Sequence, residues 1–434
     1  MRFLTTVLLL IISFTASFSQ KGSVKQSLVA PTELSYPKNG ITTGVDSVRL
    51  QRLDRVLKEY VDQGKQAGIV AMVVRNRQII YYKAFGENGT TTKAPLQRDA
   101  MMRIASQTKA ITSVAVMMLF EEGRFLLDEP ISRYIPAFKN PTVIDTFNEK
   151  DTTYTTKPAK GEITIRQLLT HTSGLSYAGI GSKEAVAIYA KAGIPSGIGT
   201  PMYSLSATIP ALAKLPLVNQ PGEKWTYSLS TDVLGYLVEV VSGQSLDQFF
   251  RTRIFEPLGM NDTYFYMPAT KHNRLATLYT ETATTKAVVP MPAQASISGD
   301  YPIKTGTYFS GGAGLSSTAY DYAVFLQMML NGGEYGGKRL LAPVTVRLMT
   351  QNQIGVLNQG DKKFGLGFSI ATEASAAKIP VSVGTFDWGG FFGTNYWADP
   401  KTGVIGLIMT QKYPNSSGDL NDKFRVLVYQ ALEQ

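Results

Sequence analysis

The 434-residue sequence predicts an α/β fold of the α+β kind: one antiparallel sheet flanked by helices, built from both chain ends, with a mainly helical domain inserted. Three observations predict it. Runs rich in β-branched and aromatic residues cluster near the two ends, at 68–86 and 364–410. Apolar residues at helical spacing dominate the stretch between them. The hydrophobic fraction, 44%, is enough for a sizeable core, and the length suits one large domain or two. The expected division is a signal peptide at 1–19, a flexible lead-in at 20–45, a discontinuous sheet domain at 46–100 and 335–434, and a mainly helical domain at 101–334.

Taken in order, Leu50, Leu53, Val56, Leu57 and Tyr60 sit at helical spacing and Gly64 ends that helix. Residues 68–74 read as a buried strand, 75–77 as a hairpin turn and 79–86 as the returning strand. A fully apolar run at 111–120, closed by Gly123, reads as a buried helix. Glycine and proline fill 176–224, leaving short helices near 183–192 and 205–214. Helices are expected at 232–241, 245–255 and 319–330, with a long polar loop at 265–310. Strand-like runs return at 364–371, 379–387, 393–398 and 404–410, and an amphipathic helix closes the chain at 420–432. No internal repeat or low-complexity tract occurs.

Composition narrows the function classes. Arg2, the apolar run 7–12 and the small residues Ser17 and Ser19 read as a secretory signal cut after Ser19, implying a secreted or periplasmic protein. The run is too short to span a bilayer comfortably, and with no cysteine a lipid anchor is excluded. The net charge is +10, but the basic residues are scattered, which favours a soluble basic surface over nucleic-acid binding. Two histidines and no cysteine make a structural zinc site improbable, and no metal or cofactor is called for. No Gly-x-Ser-x-Gly elbow occurs.

The chemistry-bearing stretch is Ser106-x-x-Lys109 at the head of the apolar helix. On a helix, residues three apart share a face. Both would lie at the N-terminus, where free N–H groups and the positive dipole end favour a developing anion. A serine hydroxyl needs a base to become a nucleophile, and a desolvated lysine can lose its charge and serve as one. A second copy, Ser375-x-x-Lys378, has no apolar helix behind it and reads as a surface turn between strands.

Four motifs follow one another: Ser106-x-x-Lys109, the Leu-Leu-Thr-His-Thr-Ser-Gly-Leu stretch ending at Leu175, the Pro-Gly-Glu-Lys-Trp-Thr-Tyr-Ser stretch ending at Ser228, and the Gly-Gly-Ala-Gly-Leu-Ser-Ser stretch ending at Ser317. In this order they resemble the serine β-lactamase-like hydrolases, which include class C β-lactamases, D-Ala-D-Ala carboxypeptidases and family VIII carboxylesterases. The resemblance covers roughly residues 46–433. It implies that Ser106 is acylated, that Lys109 is its hydrogen-bonded partner, and that Tyr227 relays protons. It implies too that the backbone N–H groups of Ser106 and Phe391 form the oxyanion hole. A second Tyr-Ser-Leu-Ser begins at Tyr203, but the Pro-Gly-x-x-Trp-x-Tyr-Ser frame favours Tyr227. His171 is expected to be structural.

The third motif bears on substrate class. Lys401-Thr402-Gly403 spells the family's Lys-Thr-Gly but follows Asp399-Pro400 and reads as a hairpin turn. Trp388-Gly389-Gly390 is the better match and resembles the family VIII esterases. Trp388 then stands where lactamases and peptidases carry a cation, and Leu229 stands where the second motif usually has Asn. A charge-assisted hydrogen bond lost to a substrate carboxylate costs about 1.5–3 kcal/mol, and a neutral ester loses nothing. The expectation is a serine carboxylesterase on small neutral esters. The rivals are a β-lactamase or D-amino-acid peptidase acting on cell-wall peptides, and a non-catalytic penicillin-binding-type protein. The expected substrate-contacting residues are Trp388, Gly389, Gly390 and Leu229.

Overall fold

The computed structural model describes residues 32–38, 44–89, 94–200, 202–292 and 297–433. The expected signal peptide and most of the lead-in lie outside these residues. From Thr32 onward the chain forms one compact unit. The described part of the lead-in is pinned rather than loose: Ser35 bridges to Gln78, and Val45 to Leu432.

An eight-stranded antiparallel sheet forms the scaffold. Its spatial order is Lys363–Phe364, Ser369–Ile370, Phe386–Gly389, Asn395–Asp399, Val404–Met409, Gly68–Arg75, Gln78–Asn88 and Ala94–Pro95. Both chain ends therefore meet at the centre, where Val70 pairs with Met409 and Arg75 with Val404. Side chains alternate across a strand. Ile69, Ala71 and Val73 accordingly join one core with Leu53, Leu57, Trp397 and Phe424, under the helices Arg52–Asp62 and Asp419–Tyr429. Val70, Met72 and Val74 face the other way, into the core shared with the Ser106 helix. The first hairpin turns at Asn76 and Arg77, both left-handed, as a two-residue hairpin requires.

The helix Thr108–Glu121 is buried along nearly its whole length. Its near-continuous apolar sequence suits that position, because a helix apolar all round must be covered on every side. It packs beside Ser230–Ser242.

Some expectations are corrected. Residues 379–385 form no strand: Pro380 lacks a ladder donor, Gly384 is left-handed, and the pairing starts only at Phe386. The strand expected over 364–371 is two short strands separated by a turn. The 265–310 stretch contains a small hairpin, Tyr279–Glu281 with Val288–Pro290, and another hairpin, Thr142–Phe147 with Tyr154–Pro158, is added. Ser375 lies in a one-turn helix, Glu373–Ala376, not a surface turn: it is buried, and its hydroxyl donates to the Thr372 carbonyl at 3.0 Å. No helix among the described residues is long and apolar enough to cross a membrane.

Candidate active site

Ser106 lies in a single 3₁₀ turn, Ala105–Gln107, that runs into the buried helix. Ala105, just before it, is left-handed at φ 42°, a conformation that costs free energy in a residue with a Cβ. The turn keeps the i, i+3 relation, so Lys109 Nζ lies 3.4 Å from Ser106 Oγ. Lys109 is almost wholly buried. Its ammonium also donates to the Gly312 carbonyl at 2.7 Å and to the Tyr177 hydroxyl at 3.2 Å. Three acceptors match the three donors of an ammonium.

Tyr227 comes from the loop before Ser230–Ser242, and its hydroxyl donates to Ser106 Oγ at 2.6 Å. Aromatic rings fix it. Tyr177 stacks at 5.3 Å, His171 lies at 5.0 Å and Trp388 at 5.6 Å between centroids. Lys109 Nζ sits 4.6 Å from the Tyr227 ring centroid, so its charge faces the ring. His171 is left-handed and buried, and its Nδ1 bonds Ser228 Oγ at 3.1 Å. Burial, and then the Lys109 charge, push its pKa well below the usual imidazole range. It is thus a neutral packing group beneath Tyr227, not part of a triad. Tyr203, the other candidate, is largely exposed and packs edge-on against Tyr308.

Above Ser106 opens a cleft of about 680 Å³. Ser106, Tyr227, Trp388, Gly389, Gly390 and Phe391 all line it. Gly390 closes on the Ser106 turn: a Cβ there would lie 2.4 Å from the Ile104 carbonyl oxygen and 2.2 Å from Thr394 Oγ1. Only glycine lets the strand end come this close. The N–H groups of Ser106 and Phe391 donate to no acceptor among the described residues, which leaves both available to an oxyanion. Leu229 does not reach the cleft. It is buried in the core at the start of Ser230–Ser242, with its N–H on the Ser176 carbonyl, so its expected substrate contact is corrected. Lys401 lies exposed in the turn between Asn395–Asp399 and Val404–Met409, away from the cleft.

Sequence reasoning missed three parts of the site. Tyr177 and the Gly312 carbonyl reach Lys109 from far along the chain; Tyr177 stands two residues past the Leu-Leu-Thr-His-Thr-Ser-Gly-Leu motif, and Gly312 lies inside the Gly-Gly-Ala-Gly-Leu-Ser-Ser motif, but neither motif shows a partner for Lys109. The third is a charged cluster in the cleft, where Lys362 Nζ pairs with Asp387 Oδ2 at 2.5 Å and Arg425 with the same oxygen at 3.4 Å.

Comparison with known proteins follows the same lines. Residues 53–430 match the family model described as Beta-lactamase. The chain belongs to this beta-lactamase family, and relatives within it support a hydrolase. Esterase EstB of Burkholderia gladioli is 32% identical over 395 residues, covering 87% of this chain and 94% of its own. Protein Rv1367c of Mycobacterium tuberculosis is 34% identical over 376 residues, covering 84% and 90%. Among solved structures, EstCE1, "a hydrolase with promiscuous acyltransferase activity", is 27% identical with a TM-score of 0.75, covering 88% of this chain and 99% of that one.

Proposed function

We propose that the chain is a serine carboxylesterase that hydrolyses small neutral esters through an acyl-enzyme on Ser106. The observation that carries this reading is the 2.6 Å contact of Tyr227 with Ser106 Oγ over a buried Lys109. With Tyr227 as the phenolate the contact reverses: the Ser106 hydroxyl donates to the Tyr227 oxygen and gives up its proton there as Oγ attacks the ester carbonyl carbon. The Lys109 charge beside the ring stabilises negative charge on Tyr227. The Ser106 and Phe391 N–H groups receive the oxyanion. Collapse expels the alcohol, which takes the proton from Tyr227. Water then attacks the acyl carbon, Tyr227 accepts its proton and returns it to Ser106 Oγ, and the carboxylic acid leaves.

Substrate neutrality is supported by the cleft's charges. Trp388 stands beside Tyr227 at the third-motif position, where a cation would read a carboxylate. The cations in the cleft wall, Lys362 and Arg425, both face Asp387. The names of EstB and EstCE1 agree with ester chemistry. The reading extends to an enzyme working outside the cytoplasm, supported by the Arg2 and 7–12 pattern and the absence of cysteine. The test is kcat/KM for p-nitrophenyl acetate against nitrocefin. The ester should be favoured more than about tenfold, the weight of one charge-assisted hydrogen bond. Preference for nitrocefin would favour the lactamase alternative, and turnover of neither would favour a binding protein.

A further inference from the structure

Behind Lys109 lies a carboxyl that the reaction above does not use. Asp232, in the first turn of Ser230–Ser242, is completely buried. Its Oδ1 accepts from Ser310 Oγ at 2.6 Å, while its Oδ2 has no hydrogen-bond partner among the described residues. Burying an acid without a direct cation is costly, so such a group calls for an explanation. The turn that Ser310 opens is the one that presents the Gly312 carbonyl to Lys109. Ser310 holds that turn through the Ala313 N–H on its hydroxyl and the Gly314 N–H on its carbonyl, each at 3.0 Å. A Cβ on Gly312 would lie 2.5 Å from Asp232 Oδ2 and 3.3 Å from the Tyr177 hydroxyl. Glycine there lets the carboxyl, the turn and Tyr177 pack against one another.

Resting on the serine-hydrolase reading, we propose that Asp232 is a positioning residue for the reaction at Ser106. It clamps the 310–314 turn beneath Lys109, and its negative charge favours the ammonium form of Lys109. The charge link is visible from the carboxyl's side. Burial raises the Asp232 pKa on balance, against the lowering pull of the Ser310 hydroxyl and then of the Lys109 charge. The titratable groups around the pair are few. Tyr177 and Tyr227 face Lys109, His171 beyond them is neutral, and Tyr177 and Tyr308 face Asp232. An ammonium held in this way keeps a positive charge beside Tyr227 through the proton transfers.

The experiment compares wild type, Asp232→Asn and Ser310→Ala. Its readouts are the pH dependence of kcat/KM for p-nitrophenyl acetate and of the rate of fluorophosphonate labelling, with folding checked by circular dichroism. Removing the negative charge makes the ammonium easier to lose, so the alkaline limb should move to lower pH. The expected shift for Asp232→Asn is at least about one unit, as for unit charges several ångströms apart at an effective dielectric of about 20. Ser310→Ala removes a donor that favours the ionised carboxyl, and should shift the limb the same way by less. A folded Asp232→Asn whose profile is merely scaled down, with its limb where the wild type has it, would overturn the proposal. If Asp232→Asn does not fold, an unshifted limb in folded Ser310→Ala overturns it instead. Failure of the wild type to label at Ser106 would strike the serine-hydrolase reading itself, a result distinct from either of these.

Discussion

Tyr227 owes its place at Ser106 to ring packing more than to hydrogen bonding. Tyr177 stacks on it, His171 and Trp388 bracket it, and one short contact from its hydroxyl remains for Ser106. Tyr227→Phe should keep this packing and lose only the proton relay. We expect kcat to fall at least about a hundredfold, the usual weight of a positioned acid–base group, with little change in thermal stability. Tyr203→Phe should stay near wild type, and steady-state kinetics on the pair would reveal a reversed ranking. At this scale the sequence was partly legible. Ser106, Lys109 and Tyr227 could be found because each sits in a short motif whose spacing carries the chemistry. The roles of Tyr177 and the Gly312 carbonyl could not, because both reach Lys109 only through the packing of distant segments, nor could that of Asp232, whose hydrogen bond is to Ser310. Leu229 was misread because its neighbour Tyr227 faces the cleft while the chain then turns into a helix and takes Leu229 into the core.

Elements were legible where periodicity was long. The hairpin at 68–88 and the apolar helix show their faces in the sequence, because alternation and an all-round apolar run are long signals. Two-residue strands such as Lys363–Phe364 and Ser369–Ile370 are too short to show a period, and their pairing comes from the sheet they join. The same holds for the hairpin Tyr279–Glu281 with Val288–Pro290. It is tied to the segment just past Val404–Met409 by a buried ion pair, Lys412 Nζ to Glu281 Oε1 at 2.6 Å. Burial alone would raise the Glu281 pKa, but Lys412 and the Ser416 N–H and hydroxyl outweigh it and bring it to about 2, below the ordinary 4.5. A depressed carboxyl pKa contributes stability above the unfolded value that is lost as pH falls through the folded one. Scanning calorimetry should therefore show part of the acid-side loss of Tm between about pH 4.5 and 2. Glu281→Gln should lower Tm at pH 7, by a loss on the order of 3 kcal/mol for an orphaned buried charge, and shrink that acid-side drop. An unchanged Tm and an unchanged acid profile would show that the pair does not hold the hairpin.

Across the whole molecule, the first long strand and the last lie side by side at the sheet centre, and the site sits where the sheet meets the helical core. That arrangement brings the Trp388-Gly389-Gly390 strand end against the Ser106 turn, although nearly three hundred residues separate them in sequence. Sheet closure from both ends was legible from the clustering of strand-like runs; the exact edge that forms the cleft was not, because it depends on where Pro380 and Gly384 delay the strand. In the proposed reaction this meeting point makes Ser106 the nucleophile. Fluorophosphonate labelling followed by peptide mapping tests it most directly. A nucleophilic Ser106 should give one adduct, on the peptide carrying Ser106, absent from Ser106→Ala and retained in Ser375→Ala. An adduct on Ser375, or full labelling of a folded Ser106→Ala, would contradict it.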